Sequence, residues 1–420
     1  MRFLYILLAY LLAPVWLGSM ALRGFRDRSH WEGFSQRFGL GPAVPGPPGI
    51  WVHAVSVGEV QAAAPLINAL LARFPTLPLV LTTGTPTGRA RARALFKERV
   101  DIRFMPVDLP GSVRRFFERA RPRLAIVLET EIWPNLYHRC GQLGVPLVLA
   151  SARISPKSVN SYRRMVGLFR QALSNGIFIA AQSEEDAQRF CSIGASPERT
   201  HVVGNIKFDF SLPANIETQG AGLRRLLGMD RPVWIAGSTH AKEEDVLLDA
   251  HRQIRARYAQ ALLVLVPRHP PRFEEVAQAL AERGVKFVTR SSAAGTSGDT
   301  EVFLVNTLGE LLSFYAAADV AFVGGTLVPI GGHNLLEPAA LGLPVLAGPN
   351  NFNSADIARM LVECGAVRIV HDPAEVANAV GELLANPAAR TAMGARGRKA
   401  VEDNRGAVRR LMEFLEPLLP

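Results

Sequence analysis

The sequence predicts an α/β protein of two doubly wound, Rossmann-like domains in tandem behind an apolar N-terminal helix, on three observations. Its 420 residues exceed what one ordinary hydrophobic core organises and suit two domains. Short apolar runs alternate with longer stretches of helical period, which is how strands buried on both faces by crossover helices read. A turn-rich segment from Asn205 to Ala221 divides these runs into two series.

The chain opens with a nearly unbroken apolar run from Phe3 to Leu22, interrupted by Pro14, with Arg2 before it and Arg23, Arg26 and Arg28 after it. At roughly 1.5 Å per residue such a run crosses the hydrocarbon layer, so residues 1–30 are expected to form a membrane anchor. The arginines on its C-terminal side place the body in the cytoplasm. Two alternatives stay open: a cleaved signal ending near Ser19-Met20-Ala21, and a helix lying in the membrane interface.

Residues 31–210 are expected to form the first domain, with strands at Ile50–Val52, Leu79–Leu81, Leu124–Leu128, Pro146–Ala150 and Ile177–Ala180. Residues 211–420 are expected to form the second, with strands at Val233–Ala236, Leu262–Val266, Val320–Val323 and Pro344–Ala347. Helical patterns fall at 242–258 and 273–283, and Arg290 to Thr300 reads as a surface loop. In doubly wound sheets ligands bind at the carboxyl ends of the strands, and with two units in tandem the cleft between them is the expected active site.

Lysine and arginine outnumber aspartate and glutamate by 47 to 37, a net charge of +10, which favours anionic lipid or phosphorylated substrates. No basic arm with interleaved aromatics and no RNA-recognition or zinc-finger spacing occurs, so nucleic acid is not an expected partner. Cys140, Cys191 and Cys364 match no disulfide framework or metal-ligand set. No glycine-rich nicotinamide fingerprint and no Walker lysine appears.

Acidic and basic residues cluster just past the apolar runs. In His53-Ala54-Val55-Ser56-Val57-Gly58-Glu59 the carboxylate stands at a strand-to-helix turn, where it can take a proton from a hydroxyl or simply favour the helix start. Glu129 and Glu131 repeat the arrangement in Glu129-Thr130-Glu131-Ile132-Trp133-Pro134-Asn135, and an extended chain would turn both the same way. Lys207 in Gly204-Asn205-Ile206-Lys207-Phe208-Asp209 can hold a phosphate or a sugar carboxylate, or be a solvated linker charge. In the second series, Arg268 and His269 end a strand, and Asn306 to Leu311 introduces a helix. The strongest signal is Gly331-Gly332-His333-Asn334-Leu335-Leu336-Glu337-Pro338, preceded by Gly324-Gly325: paired glycines admit a ligand to the backbone, and the asparagine-to-glutamate helix start suits ribose hydroxyls.

These segments, in this order and at these spacings, resemble the Kdo (3-deoxy-D-manno-octulosonic acid) transferases of lipopolysaccharide synthesis along the whole chain. The resemblance implies a GT-B fold with domains facing across a cleft, CMP-Kdo as donor, a lipid A precursor (lipid IVA) as acceptor, inverting transfer, and attachment to the cytoplasmic face of the inner membrane among its lipids. It implies no metal and no cofactor, CMP-Kdo being a co-substrate. By position it makes Glu59 the general base, Glu129 and Lys207 stabilisers of the transition state, and Arg268, His269, Leu308, Gly309, Glu310, Asn334, Leu335, Leu336 and Glu337 the nucleotide-binding residues. Leu308 stands for a usual methionine, Leu335 for a usual proline and Ser151 for a common asparagine. A GT-B transferase or an epimerase using a UDP-sugar is the alternative reading.

Overall fold

The computed structural model describes residues 2–419 except 157, 161–165, 174–175 and 293. It divides into two compact units, one of Met1–Phe210 with Asn404–Pro420 and one of Ser211–Asp403.

The first unit holds seven parallel strands: β1 (Gly49–His53), β2 (Leu79–Thr83), β3 (Asp101–Phe104), β4 (Pro122–Leu128), β5 (Leu147–Ala152), β6 (Ile177–Ala181) and β7 (Thr200–Val202), ordered β3-β2-β1-β4-β5-β6-β7. Every residue of β1 is buried, because crossover helices cover both faces. One face packs α2 (Val57–Arg73) and α3 (Pro86–Phe96), burying Leu66, Leu70 and Phe96. The other packs α4 (Pro110–Ala120) and α5 (Pro134–Leu143), where Trp51 meets Phe116 edge-on at 5.0 Å and donates to Thr82 Oγ1 at 2.8 Å. That bond satisfies the one polar atom of a fully buried ring.

The tail of the chain corrects the expected second domain of 211–420. Helix Ala407–Leu415 belongs to the first unit and buries Leu411 and Leu415 against Leu66 and Leu70. Asp209 fixes its start, accepting from the backbone N–H of Gly406 at 2.6 Å and from that of Val408.

The N-terminal helix α1 (Arg2–Arg26) is long and apolar enough to cross a membrane, and Phe3, Leu11, Val15 and Leu22 are exposed on it. Near its start Tyr5 donates to Asp108 at 2.8 Å, and Asp108 also accepts from the backbone N–H groups of Asn135 and Leu136 at the head of α5.

The second unit repeats the plan with β8 (Val233–Thr239), β9 (Leu262–Pro267), β10 (Phe287–Thr289), β11 (Val302–Leu304), β12 (Val320–Val323), β13 (Val345–Ala347) and β14 (Val367–Ile369), all parallel and ordered β10-β11-β9-β8-β12-β13-β14. The helical patterns appear as Glu243–Arg257 and Arg272–Glu282. The stretch read as a surface loop is mostly exposed among its described residues and is tethered at its end, where Arg231 donates to the carbonyls of Ser297 at 2.9 Å and Thr300 at 2.6 Å and Thr300 is buried.

Where helix Pro387–Asp403 crosses the turn at Gly342, the backbones touch: a Cβ on Gly394 would lie 1.8 Å from the Gly342 carbonyl oxygen. A backbone neighbour cannot rotate away as a side chain does. Gly394→Ala is therefore expected to destabilise the second unit by about 1–3 kcal/mol, read as a lowered denaturation midpoint with an unchanged slope.

Candidate functional site

In each unit the strand order reverses between two neighbours, β1 and β4 in the first and β8 and β12 in the second. Crossovers from such a pair leave in opposite directions, so the loops at the carboxyl ends part and open a crevice. Of the segments found in the sequence, that of Glu59 follows β1, that of Glu129 and Glu131 follows β4 and that of His333 to Glu337 follows β12, while Lys207 follows β7 and Arg268 with His269 follows β9.

After β1, Ser56 is extended (φ −118°, ψ 170°) and its hydroxyl accepts from the Glu59 backbone N–H at 3.4 Å, capping α2. Glu59 reaches back to accept from the Val55 N–H at 2.6 Å. This reciprocal box makes the helix-start role real and also fixes where the carboxylate points. Burial, together with Glu129 and Glu131 nearby, pushes the Glu59 carboxyl up to about 7, against the Val55 N–H and Lys207, which lower it. A carboxylate so poised exchanges protons near neutrality.

After β4 the chain does not stay extended. Glu129 takes a left-handed backbone (φ +56°), so it and Glu131 have separate surroundings. Glu129 accepts from Lys207 Nζ at 2.7 Å and from Arg153 Nε at 3.1 Å. Burial alone would raise its pKa, but the two cations hold it below the ordinary value. Glu131 accepts from the Trp133 indole at 3.0 Å, and burial pushes it up.

Lys207 is no linker charge: it lies on a 3-10 turn, Ile206–Asp209, whose backbone is held by Asn205 Oδ1 at 2.9 Å from the Lys207 N–H. Three successive side chains serve three purposes. Lys207 meets Glu129, Phe208 is buried, and Asp209 caps the C-terminal helix.

Two residues here escaped sequence reasoning as site members. Arg153 follows β5 and completes the ion cluster; its place after an apolar run was the available signal. Ser151 adopts φ +51°, a conformation asparagine tolerates well, and its hydroxyl accepts from Gln182 Nε2 at 3.1 Å.

In the second unit the crevice is held by one carboxylate. Glu243 is fully buried and accepts from the backbone N–H groups of Gly325 at 2.8 Å, Thr326 at 3.1 Å, Leu327 at 3.0 Å and His240 at 3.2 Å, tying the loop after β12 to the loop after β8. Gly325 (φ +71°) and Gly332 (φ +81°) supply left-handed turns that let His333 fold back into the crevice. There His333 Nε2 meets His240 Nε2 at 2.8 Å, and the His269 ring lies 5.4 Å from that of His240. His240 was also missed, since a lone histidine after a strand carries no motif.

Arg268 and His269 follow β9 and are exposed. Asn334 accepts from the Leu336 N–H at 3.0 Å and donates to Glu337 at 3.1 Å, so the two polar residues form one unit at the start of helix Leu336–Ala340. Leu335 and Leu336 are buried, which leaves only their backbone for a ligand. Leu308 is exposed, Gly309 is left-handed at φ +87°, and Glu310 turns to Arg290, its Oε1 accepting from Nη2 at 2.8 Å and its Oε2 from Nε at 3.2 Å.

Residues 32–210 match the 3-deoxy-D-manno-octulosonic-acid transferase (kdotransferase) family, and residues 235–400 match glycosyl transferases group 1. The 3-deoxy-D-manno-octulosonic acid transferase of Haemophilus influenzae is 39% identical over 100% of this chain and 99% of its own. That of Bordetella pertussis is 39% identical, with 97% of each chain covered. Among solved structures, a UDP-GlcNAc 2-epimerase from Neisseria meningitidis bound to UDP-GlcNAc matches 87% of this chain and 99% of its own with a TM-score of 0.58 at 14% identity, a likeness of fold alone. The two parallel seven-stranded sheets have the GT-B architecture expected from the sequence.

The left-handed backbone of Glu129 separates conformational strain from charge. Glu129→Ala and Glu129→Gly both lose the ion pairs, but only glycine relieves φ +56°. Glu129→Gly should be the more stable by about 1 kcal/mol in chemical denaturation. Equal stabilities would show that the backbone relaxes without strain.

Proposed function

Because this chain belongs to the 3-deoxy-D-manno-octulosonic-acid transferase family and acts in lipopolysaccharide biosynthesis as a Kdo transferase, we propose that Glu59 is its general base, in an inverting transfer from CMP-Kdo to a lipid A precursor. The observation that carries this reading is a carboxyl raised to about 7 beside a carboxylate already neutralised by Lys207 and Arg153. Glu59 takes the proton of the acceptor hydroxyl as that oxygen bonds to the anomeric carbon of Kdo. The bond from this carbon to the phosphate oxygen breaks, and CMP leaves with the electron pair.

Glu129 holds the ammonium of Lys207 and the guanidinium of Arg153 in place, one carboxylate for two cations. The remaining positive charge offsets the Kdo carboxylate and the departing phosphate in a partly dehydrated crevice. The CMP moiety is read on Arg268, His269, the Leu308–Glu310 loop and Asn334–Glu337, where Asn334 and Glu337 offer a donor and an acceptor to ribose hydroxyls. Helix α1 anchors the body to the cytoplasmic face of the inner membrane, beside its amphiphilic acceptor.

Mass spectrometry of the product from CMP-Kdo and a purified lipid A precursor tests the reaction, and competition tests the donor. CMP should inhibit turnover where equimolar UDP does not; the reverse order would favour a UDP-sugar transferase.

Glu59→Gln should lower turnover about 10²- to 10⁴-fold while leaving CMP affinity unchanged. In the unsubstituted enzyme, turnover should rise with pH and level off above about 7, where Glu59 is ionised. Stability runs the opposite way. Folding raises this group above its ordinary 4.5, so its contribution is complete below that value and is lost as pH rises through about 7. Glu59→Gln should thus melt no lower than the parent at pH 8, and near-normal turnover with a lowered melting temperature would leave Glu59 a helix cap only.

A further inference from the structure

The bond between His240 and His333 joins two nitrogens that cannot both be donors or both be acceptors. Their Nε2 atoms are 2.8 Å apart, and the rings are parallel within 3° with centroids 5.1 Å apart. That is an edge-to-edge contact. One imidazole therefore carries its hydrogen on Nε2 and keeps a bare Nδ1, and the other accepts at Nε2 and carries its hydrogen on Nδ1. The pair bridges the loops after β8 and β12, which Glu243 locks together through four backbone N–H groups, so neither ring is placed by chance.

From this geometry we infer that His240 and His333 act as one proton-accepting anion clamp, which takes up a proton when the phosphate of the donor nucleotide enters the crevice. The inference rests on the donor-site reading above and adds to it His240, His333 and a proton. The proton goes to the bare Nδ1, making that ring an imidazolium while its Nε2–H still bonds the second ring. The neutral pair offers one Nδ1–H; the protonated pair offers two, with a positive charge behind them. Hydrogen bonds from a charged donor to phosphate oxygen are about twice as strong as neutral ones.

The surroundings keep the empty clamp neutral. Burial, then Arg268, His240 and His269, lower His333 to about 4, and burial, then His269, Arg268 and Arg272, lower His240. The nearby carboxylates are engaged elsewhere: Glu243 with the loop amides, Glu244 with Thr239 and Arg272, and Glu337 with Asn334. An entering phosphate supplies the negative charge that these cations lack, so anion and proton favour one another. CMP affinity should consequently weaken as pH rises between about 6 and 8.

Calorimetry of the full-length protein in detergent, titrated with CMP and with cytidine in buffers of different ionisation enthalpy, measures the protons bound. About 0.5–1 proton should be taken up per CMP at pH 7 and none per cytidine, which lacks the phosphate. His240→Gln keeps a bond to His333 but cannot hold the added proton. His333 can still take a proton in that variant, and His240 in His333→Gln, so uptake should vanish, and CMP bind roughly tenfold more weakly with an unchanged melting temperature, in the double variant His240→Gln/His333→Gln. CMP binding without proton uptake, uptake that survives in the double variant, or equal uptake with cytidine would overturn the clamp while leaving the donor site intact. Failure of CMP to bind at all would remove the donor-site reading and the clamp with it.

Discussion

Parallel pairing without a break imposes the constraint on which everything else in this molecule depends. Each unit is a seven-stranded parallel sheet, so every strand must be re-entered from the same end and every crossover must cover a face. Only where the order reverses, at β1/β4 and β8/β12, do two loops leave neighbouring strands in opposite directions. The polar groups after these strands are therefore spared from being buried under a crossover. The fold opens the crevices first, and the chemistry occupies the places it leaves unfilled.

Within that frame, each crevice is organised by one carboxylate that does not itself look reactive. Glu129 gathers Lys207 and Arg153 from distant parts of the first unit, and Glu243 gathers four backbone N–H groups in the second. Removing either would take away an acceptor shared by several donors, which costs more than the net worth of the bonds. Glu59 is different, since its hydrogen bond to Val55 only partly offsets the burial that resists its ionisation. Supporting carboxylates are neutralised, and the one proposed as the base is left short of partners.

Legibility in the sequence followed burial. The central strands β1, β2, β4, β5, β6, β8, β9, β12 and β13 stood out because residues such as Leu124–Leu128 are apolar on both faces. The edge strands β3, β7, β10 and β14 carry polar residues such as Asp101, His201 and Arg368, since one side of an edge needs no sheet partner, and the interior strand β11 was missed although it is as short and as buried as β13. Site residues were legible where several polar side chains cluster after a strand, as with Glu129 and Glu131 or His333 to Glu337. Arg153 and His240 were not, because what makes them site members is a partner 24 residues away in one case and 93 in the other.

The return of helix Ala407–Leu415 to the first unit gives biosynthesis an awkward order. Leu66, Leu70 and their neighbours form a surface that the last residues of the chain cover, with Leu411 and Leu415 completely buried there. A ribosome that has finished the first sheet must make the whole second unit before that surface closes. Until that helix is made, the nascent chain presents an apolar patch to chaperones, and a chain stopped before residue 407 would have both sheets complete and one core left open.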